Sequence, residues 1–418
     1  MIDEIILKKE NKKILTKEEL EYFFNGYLNN EITDFDMTRL LKAIMKNNLS
    51  MNEIYDLTDI FINSGDTLEL DLENVVDKHS TGGIGDKTTL VIAPIVASLG
   101  INMPKLSGRG LGYTGGTIDK LESIGINTSL SEEDFINNVR NIGFSINGQT
   151  KNLCPMDKKV YALRDVTNTT ENIGLIATSI MSKKIASGAK NIVIDLKVGN
   201  GALIKTKKDA KTLAKVMINI GKKYNRKVVC VLTDMNNPIG NNIGNKIEVI
   251  EAVEVLQNKV RNNLYDLCVF LSSVIVEIGL NISFNEAKEK VLSVIEGGTA
   301  YKKFLEFVKL QNGSLDNLYD LDEGYKVYSK KSGYIKSIDA KNLGILSMNL
   351  GAGRKEKDAK INFNAGIILN KHVGDYIKEG ELLCTLYGDK TYFVDVNSYF
   401  NIKKIRSRKK DIIISIIR

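Results

Sequence analysis

Apolar positions along this chain recur with two periods, and the switches between them divide it into territories. Thr16 precedes Lys-Glu-Glu with Glu19 three residues on, a capping box that starts a helix. Apolar residues then recur at helical spacing through Leu40, Leu41 and Ile44, so residues 1–66 read as helical. From about 67 to 328, short apolar runs such as Asn191-Ile-Val-Ile-Asp-Leu-Lys197 and Lys227-Val-Val-Cys-Val-Leu-Thr233 alternate with helical patterns. Strands alternating with helices predict a mostly parallel sheet. A helical interruption at 157–188 is expected to pack with the N-terminal helices.

Past that region the texture changes again. Short β-rich runs, Gly333-Tyr-Ile-Lys-Ser-Ile338 and Glu381-Leu-Leu-Cys-Thr-Leu386, sit between glycine-containing turns. The expected fold class is therefore α/β plus all-α. A helical domain comprises 1–66 and 157–188, a large α/β domain 67–156 and 189–328, and a small α+β domain 329–418. No internal repeat and no low-complexity linker interrupts this order.

Composition narrows the class. A chain of 418 residues, 43% hydrophobic and 26% charged, can bury several cores. Its net charge of +7 is spread along the sequence rather than gathered on one segment. That favours a solvated surface over a nucleic-acid face. The four cysteines, Cys154, Cys230, Cys268 and Cys384, form no metal or redox motif, which fits a reduced, cytoplasmic protein. The N-terminus lacks the basic and apolar blocks of a signal peptide. The most apolar stretch, Tyr265 to Leu280, contains Asp266 and Glu277 and is short for a bilayer, so a buried helix and no membrane are expected.

The chemistry concentrates in two glycine-dense loops. The first is Lys78-His-Ser-Thr-Gly-Gly-Ile-Gly-Asp86, followed by an apolar helical pattern from Thr89. The second is Ser107-Gly-Arg-Gly-Leu-Gly-Tyr-Thr-Gly-Gly-Thr117. A glycine-rich loop entering a helix presents unpaired N–H groups and the positive dipole end, which suits an anion. Lys78 adds a formal charge; Ser80 and Thr89 add hydroxyl donors. Asp86 stands where a Walker A sequence requires glycine, and the G-x-G-x-x-G of residues 110–115 is weak by itself. On the residues alone, a structural turn and an anion site stand level at each loop.

These two loops, in this order, closely resemble the signature of the thymidine and pyrimidine-nucleoside phosphorylases. The likeness extends from the helical N-terminus to Gly351-Ala-Gly-Arg354. It implies that Lys78, Ser80, Thr89, Ser107 and Thr117 bind inorganic phosphate, with Lys105 nearby, and that His79 faces O2 of a pyrimidine. Tyr161-Ala-Leu-Arg164 and Ser179-Ile-Met-Ser-Lys183 resemble the family's base-contacting segments, making Arg164, Ser179 and Lys183 base ligands. Ser179 and Lys183 are four apart, so they share a helix face.

The implied reaction is phosphorolysis to free base and pentose 1-phosphate, in nucleoside salvage. His79, Arg164 and Lys183 carry it by stabilising charge on the departing base. An unperturbed histidine pKa near 6.5 would let His79 give either a hydrogen bond or a proton. Phosphate is the co-substrate, with no cofactor or catalytic metal, and the family's homodimer forms through the helical domain. Lys105 matches the broad-specificity branch, so uridine is expected beside thymidine and deoxyuridine.

Two positions depart from the family pattern. Tyr113 replaces a usual histidine and cannot be a near-neutral acid or base. Lys87 replaces a threonine that, in Bacillus-type relatives, helps bind a monovalent cation with the equivalents of Gly85, Ile239, Asn242 and Glu251. The Lys87 ammonium is expected to occupy the ion's place and pair with Glu251, rather than point to solvent, so potassium is not expected. Alternatives are a thymidine- and deoxyuridine-restricted phosphorylase and a phosphoribosyltransferase of the same fold. A nucleic-acid-binding or interaction protein is the non-enzyme alternative. A nucleic-acid binder would want aromatics among its basic residues, and the loops carry only Tyr113.

Overall fold

The computed structural model describes all residues except 111, 149–151, 355–358, 389–393 and 407–410. Leu111 of the second glycine loop thus lies outside the described residues. The chain opens with four helices, α1 (Ile2–Glu10), α2 (Lys17–Leu28), α3 (Asp34–Asn47) and α4 (Met51–Asn63). Thr16 and Glu19 form a reciprocal capping box at α2, and Ser50 and Glu53 form another at α4. Their apolar stripes meet in one core through Phe23, Phe24, Leu40, Leu41 and Phe61.

The α/β region follows in the order β1 (Val76–Ser80), α5 (Thr88–Ala97), β2 (Met103–Ser107), α6 (Thr117–Glu122), α7 (Glu132–Ile142) and β3 (Phe144–Gly148). Two helices interrupt it, α8 (Pro155–Val166) and α9 (Ile173–Ala186). It resumes with β4 (Asn191–Val198), α10 (Lys207–Lys223), β5 (Lys227–Asp234), β6 (Asn242–Gly244), α11 (Lys246–Leu256), α12 (Asn263–Leu280), α13 (Phe284–Glu296) and α14 (Thr299–Leu310). Strands β1, β4 and β5 are parallel, and β2 pairs in parallel with β3. A parallel bridge between Val75 and Asn102 sets β2 beside β1. Side chains of β4 alternate between two cores: Val193 faces the one containing α5 and α12, Ile192 and Ile194 the one containing α9 and α10. A sheet covered on both faces explains why these strands read as near-continuous apolar runs. Helix α12 is long and apolar enough to cross a membrane by length and composition, yet most of it is buried here against the core.

The interruption at 157–188 splits in its packing. Met156, Val160 and Leu163 of α8 join the N-terminal helical core. Helix α9 instead packs Ile176, Ile180 and Ile185 with Ile54 on one side and the sheet residues Ile192 and Ile194 on the other. It is apolar nearly all round, so it can be buried from both directions.

The C-terminal region contains β7 (Tyr325–Tyr328), β8 (Gly333–Ile338), α15 (Ala340–Ser347), β9 (Gly366–Leu369), β10 (Tyr376–Ile377), β11 (Leu382–Tyr387), β12 (Phe400–Lys403) and β13 (Ile413–Ile417). The expected boundary at 328/329 requires correction in three places. Strand β7 belongs with the C-terminal sheet, where it pairs with β11. Strand β6 also joins that sheet, through β9. Strand β13 returns to the α/β sheet and pairs antiparallel with β5. The isoleucine-rich β13 covers an edge that would otherwise present unpaired backbone groups.

Candidate active site

The first glycine loop joins β1 to α5, at the carboxyl ends of the parallel strands, where ligands of open α/β sheets bind. Gly85 has φ 74°, and a Cβ there would lie 2.4 Å from the Ile239 carbonyl oxygen, so the turn requires glycine. Asp86, within the loop, organises its hydroxyls. Ser80 Oγ donates to Asp86 Oδ2 at 2.5 Å, Thr88 Oγ1 donates to Oδ1 at 2.5 Å, and Lys78 Nζ donates to Thr88 Oγ1 at 2.6 Å. Burial would raise the Asp86 pKa, but Lys197, Lys78 and the two hydroxyl donors hold it well below the usual carboxylate range. Behind them, Asp195 accepts from Lys197 Nζ at 2.6 Å and Thr233 Oγ1 at 2.7 Å, with Lys78 Nζ 3.8 Å away. Ser80 therefore gives its proton to Asp86, not to an open acceptor, and Thr88 rather than Thr89 takes the Lys78 hydrogen bond. Thr89 is buried in the first turn of α5.

The second loop leaves β2 at Ser107 and enters α6 at Thr117, which is half-buried. Ser107 Oγ is buried and has no hydrogen-bond partner among the described residues. Both loops meet, since Ile84 and Gly85 of the first and Gly110, Tyr113 and Gly115 of the second line one cavity. Two residues before Ser107, Lys105 is buried, with its Nζ 3.9 Å from Asp77 Oδ1 and 3.1 Å from the Leu106 carbonyl. Asp77 Oδ2 accepts from Lys184 Nζ at 2.6 Å. Burial, then the Lys184 charge, push the Lys105 amine down to about 7 despite Asp77.

His79 sits among these cations. Burial and then Lys184, Lys105, Lys183 and Lys78 push its pKa well below 6.5. Of the two roles open to an unperturbed imidazole, this environment favours the neutral hydrogen-bonding one. The ring remains a hydrogen-bond donor, but not a charged acid. Tyr113, half-buried, packs its ring against the main core.

Helices α8 and α9 carry the remaining expected site residues. Lys183 Nζ bonds Asp157 Oδ2 and lies 3.1 Å from Ser179 Oγ, one helical turn away. The adjacent Lys184 reaches Asp77 in β1, so successive lysines of α9 pair with carboxylates of α8 and of β1. Arg164 is buried and does not stand free. Its Nε, Nη1 and Nη2 donate to the carbonyls of Thr169, Leu175 and Thr170 at 3.1, 3.3 and 2.9 Å. Of five guanidinium N–H groups, two have no acceptor among the described residues. Burial pushes its pKa down to about 10, against the opposing charge of Asp157.

Lys87 is fully buried rather than in solvent. Its Nζ donates to Glu251 Oε2 at 2.6 Å, the Asn242 carbonyl at 2.7 Å and the Ile239 carbonyl at 3.1 Å. Every ammonium hydrogen has an acceptor.

The sequence reading missed Asp77, Asp86, Asp157, Asp195, Lys184 and Lys197. One signal was present. Asp195 and Lys197, two apart in the apolar run of β4, share a strand face, and charges inside such a run must be paired.

Comparison with known proteins agrees with this layout. Residues 3–65 match the helical bundle domain of the glycosyl transferase family, and residues 72–301 its a/b domain. Residues 334–399 match the pyrimidine nucleoside phosphorylase C-terminal domain. The chain is 45% identical over 407 residues to a pyrimidine-nucleoside phosphorylase of Staphylococcus haemolyticus, spanning 95% of this chain and 94% of that one. It is 45% identical over 400 residues to the Bacillus subtilis protein of that name, covering 93% and 92% of the two chains. The crystal structure of anthranilate phosphoribosyltransferase from Thermus thermophilus superposes with a TM-score of 0.60 at 15% identity. It covers 74% of this chain and 99% of that one, a likeness of fold alone. Through its domain matches and its full-length relatives, the chain belongs to the pyrimidine-nucleoside phosphorylase branch of the glycosyl transferase family.

Proposed function

We infer that this protein phosphorolyses pyrimidine nucleosides, transferring the pentose from the base to inorganic phosphate. The observation that carries the reading is the gathering of Lys78, Lys105, Lys183 and Lys184 around His79, together with a buried Ser107 hydroxyl that has no partner among the described residues. Asp195, Asp77 and Asp157 hold these lysines in place, and lysines so positioned, with an unused hydroxyl donor, are suited to a dianion. Lys78, Ser80, Thr89, Ser107 and Thr117 are the phosphate ligands in this reading, with Lys105 beside them; Ser80 turns from Asp86 to the phosphate as it binds.

A phosphate oxygen attacks the anomeric carbon as the bond to the ring nitrogen breaks, and that bond's electron pair moves onto the base. The proton of hydrogenphosphate ends on the base, so charge and atoms balance without an outside acid. Negative charge grows on the pyrimidine, and groups that bind it more strongly then lower the barrier. Lys183 and the two unused N–H groups of Arg164 answer the carbonyl oxygens, Ser179 the ring nitrogen, and neutral His79 donates to O2. Substrate binding in a cleft between the helical and α/β parts requires closure to exclude water.

Lys105 beside the sugar favours acceptance of a 2′-hydroxyl, so uridine is a substrate together with thymidine and deoxyuridine. The enzyme needs no potassium, because Lys87 already supplies a cation to Glu251. It acts in the cytoplasm, where its four buried, free cysteines stay reduced. It assembles as a homodimer through the helical domain, whose first helices and their connections expose Leu7, Ile14, Tyr22 and Phe35. The test is a phosphate-dependent assay of uridine, thymidine and deoxyuridine. All three should yield base and pentose 1-phosphate. Thymidine and deoxyuridine cleavage without uridine would mark the narrower enzyme, and three intact nucleosides in excess phosphate would end the proposal.

A further inference from the structure

The second glycine loop does not hold its shape through the α/β domain alone. Asp119, in α6, is almost fully buried, and its two oxygens face different elements. Oδ2 accepts from the Gly110 backbone N–H at 2.6 Å, strapping the start of the loop to the helix that ends it. Oδ1 accepts from Arg354 Nη1 at 2.7 Å, from a residue 235 positions away in the C-terminal region. Arg109, whose Nη1 is 3.5 Å from the same oxygen, is held mainly by Glu122.

The backbone around Arg354 is fitted to the loop as well. A Cβ on Gly353 would lie 2.9 Å from the Gly112 carbonyl oxygen. One on Gly344 of α15 would lie 2.9 Å from the Tyr113 carbonyl oxygen and 2.4 Å from Ile84 Cδ1, so α15 touches both glycine loops. Asn245 Nδ2 donates to the Ala352 carbonyl at 2.8 Å, which anchors the segment from the α/β side. Glycines set where the chains approach, and a charge-assisted bond closes the contact.

We propose that Arg354 is a positioning residue for phosphorolysis: through Asp119 it holds Ser107 and Thr117 at the separation that phosphate requires, which makes the C-terminal region a working part of the phosphate site. This rests on Ser107 and Thr117 being phosphate ligands. Arg354 bonds the Gly110 carbonyl and Asp119, so its influence reaches the reaction through the strapped loop.

Steady-state kinetics of Arg354→Met, Arg354→Lys, Asp119→Asn and the double variant Arg354→Met/Asp119→Asn test this, with Ser107→Ala as reference. Arg354→Met should raise KM for phosphate about tenfold, the value of one lost charge-assisted bond. KM for uridine should change little, whereas the melting temperature should fall because Asp119 is left buried without that partner, and should largely recover in the double variant while the raised phosphate KM persists. Arg354→Lys should recover much of the phosphate affinity, and Asp119→Asn should add almost nothing to the phosphate KM in the Arg354→Met background. If Ser107→Ala weakens phosphate but Arg354→Met does not, if Arg354→Met raises both KM values, or if the phosphate KM recovers with the melting temperature in the double variant, the positioning role is wrong. If Ser107→Ala leaves phosphate KM unchanged, the ligand assignment beneath it is wrong instead.

Discussion

Lys87 Nζ lies 2.6 Å from Glu251 Oε2, both fully buried and 164 residues apart in sequence. The same carboxylate accepts from the backbone N–H groups of Asn241 and Asn242 and from Asn262 Nδ2. Removing one partner of a buried pair leaves an uncompensated charge, at a cost of about 3–5 kcal/mol. Lys87→Thr should therefore lower the melting temperature in sodium buffer, and potassium should restore it by binding the folded state. The wild-type protein should be indifferent to the exchange. A wild-type enzyme that needs potassium, or a Lys87→Thr variant blind to both ions, would falsify the tethered-cation reading.

Lys183 is expected to act on the transition state. Lys183→Met should reduce kcat/KM for uridine by about 10–100-fold, because the charge it answers grows as the base departs. Phosphate KM should stay near its wild-type value. Asp157→Asn keeps the ammonium but loosens its hold, so its loss should be smaller. Equal effects of Lys183→Met on phosphate and nucleoside KM would place Lys183 elsewhere in the site.

Lys105 links phosphate to protons. With its amine at about 7, it is largely neutral at pH 8 before phosphate binds. An arriving dianion favours the charged form and raises that pKa, so binding takes up a proton. Phosphate affinity must then fall as pH rises from 7 towards the ordinary lysine value. Calorimetry at pH 8 in buffers of different ionisation enthalpy should show uptake approaching about one proton per site, mostly lost in Lys105→Met. The same variant should lose more activity on uridine than on deoxyuridine. Proton release on binding would reverse the sign and refute the assignment.

His79 should behave as a neutral donor. Its pKa is depressed by burial and four lysines, so its ring proton resonances should not titrate between about pH 6 and 8 in the unliganded protein. His372 is the only other histidine, and His372→Gln identifies its signal. His79→Gln, which keeps an N–H donor, should retain activity within about threefold, whereas His79→Ala should lose about tenfold. A His79 signal titrating near 6.5 would restore the charged-acid alternative.

What the sequence determined by itself was local. Capping at Thr16, the alternation of strands and helices, and the two glycine loops follow from backbone and periodicity rules that act over a few residues. The family resemblance drew on the same short segments. It directed attention to Lys78, Ser80, His79, Lys105, Ser107, Arg164 and Lys183, because their residue types sit in unmistakable local settings. Tertiary structure decided what those groups are chemically. Asp86, Asp157, Asp195 and Lys184 read in sequence like any solvated charges, yet packing makes them partners of Lys78, Lys183, Lys197 and Asp77. Desolvation and Coulomb energy depend on distances between distant segments, so the low pKa of His79 and the near-neutral amine of Lys105 had no local signature. The return of β13 to the α/β sheet and the reach of Arg354 to Asp119 were likewise invisible, since an edge strand and a salt bridge exist only once the chain has brought their partners together.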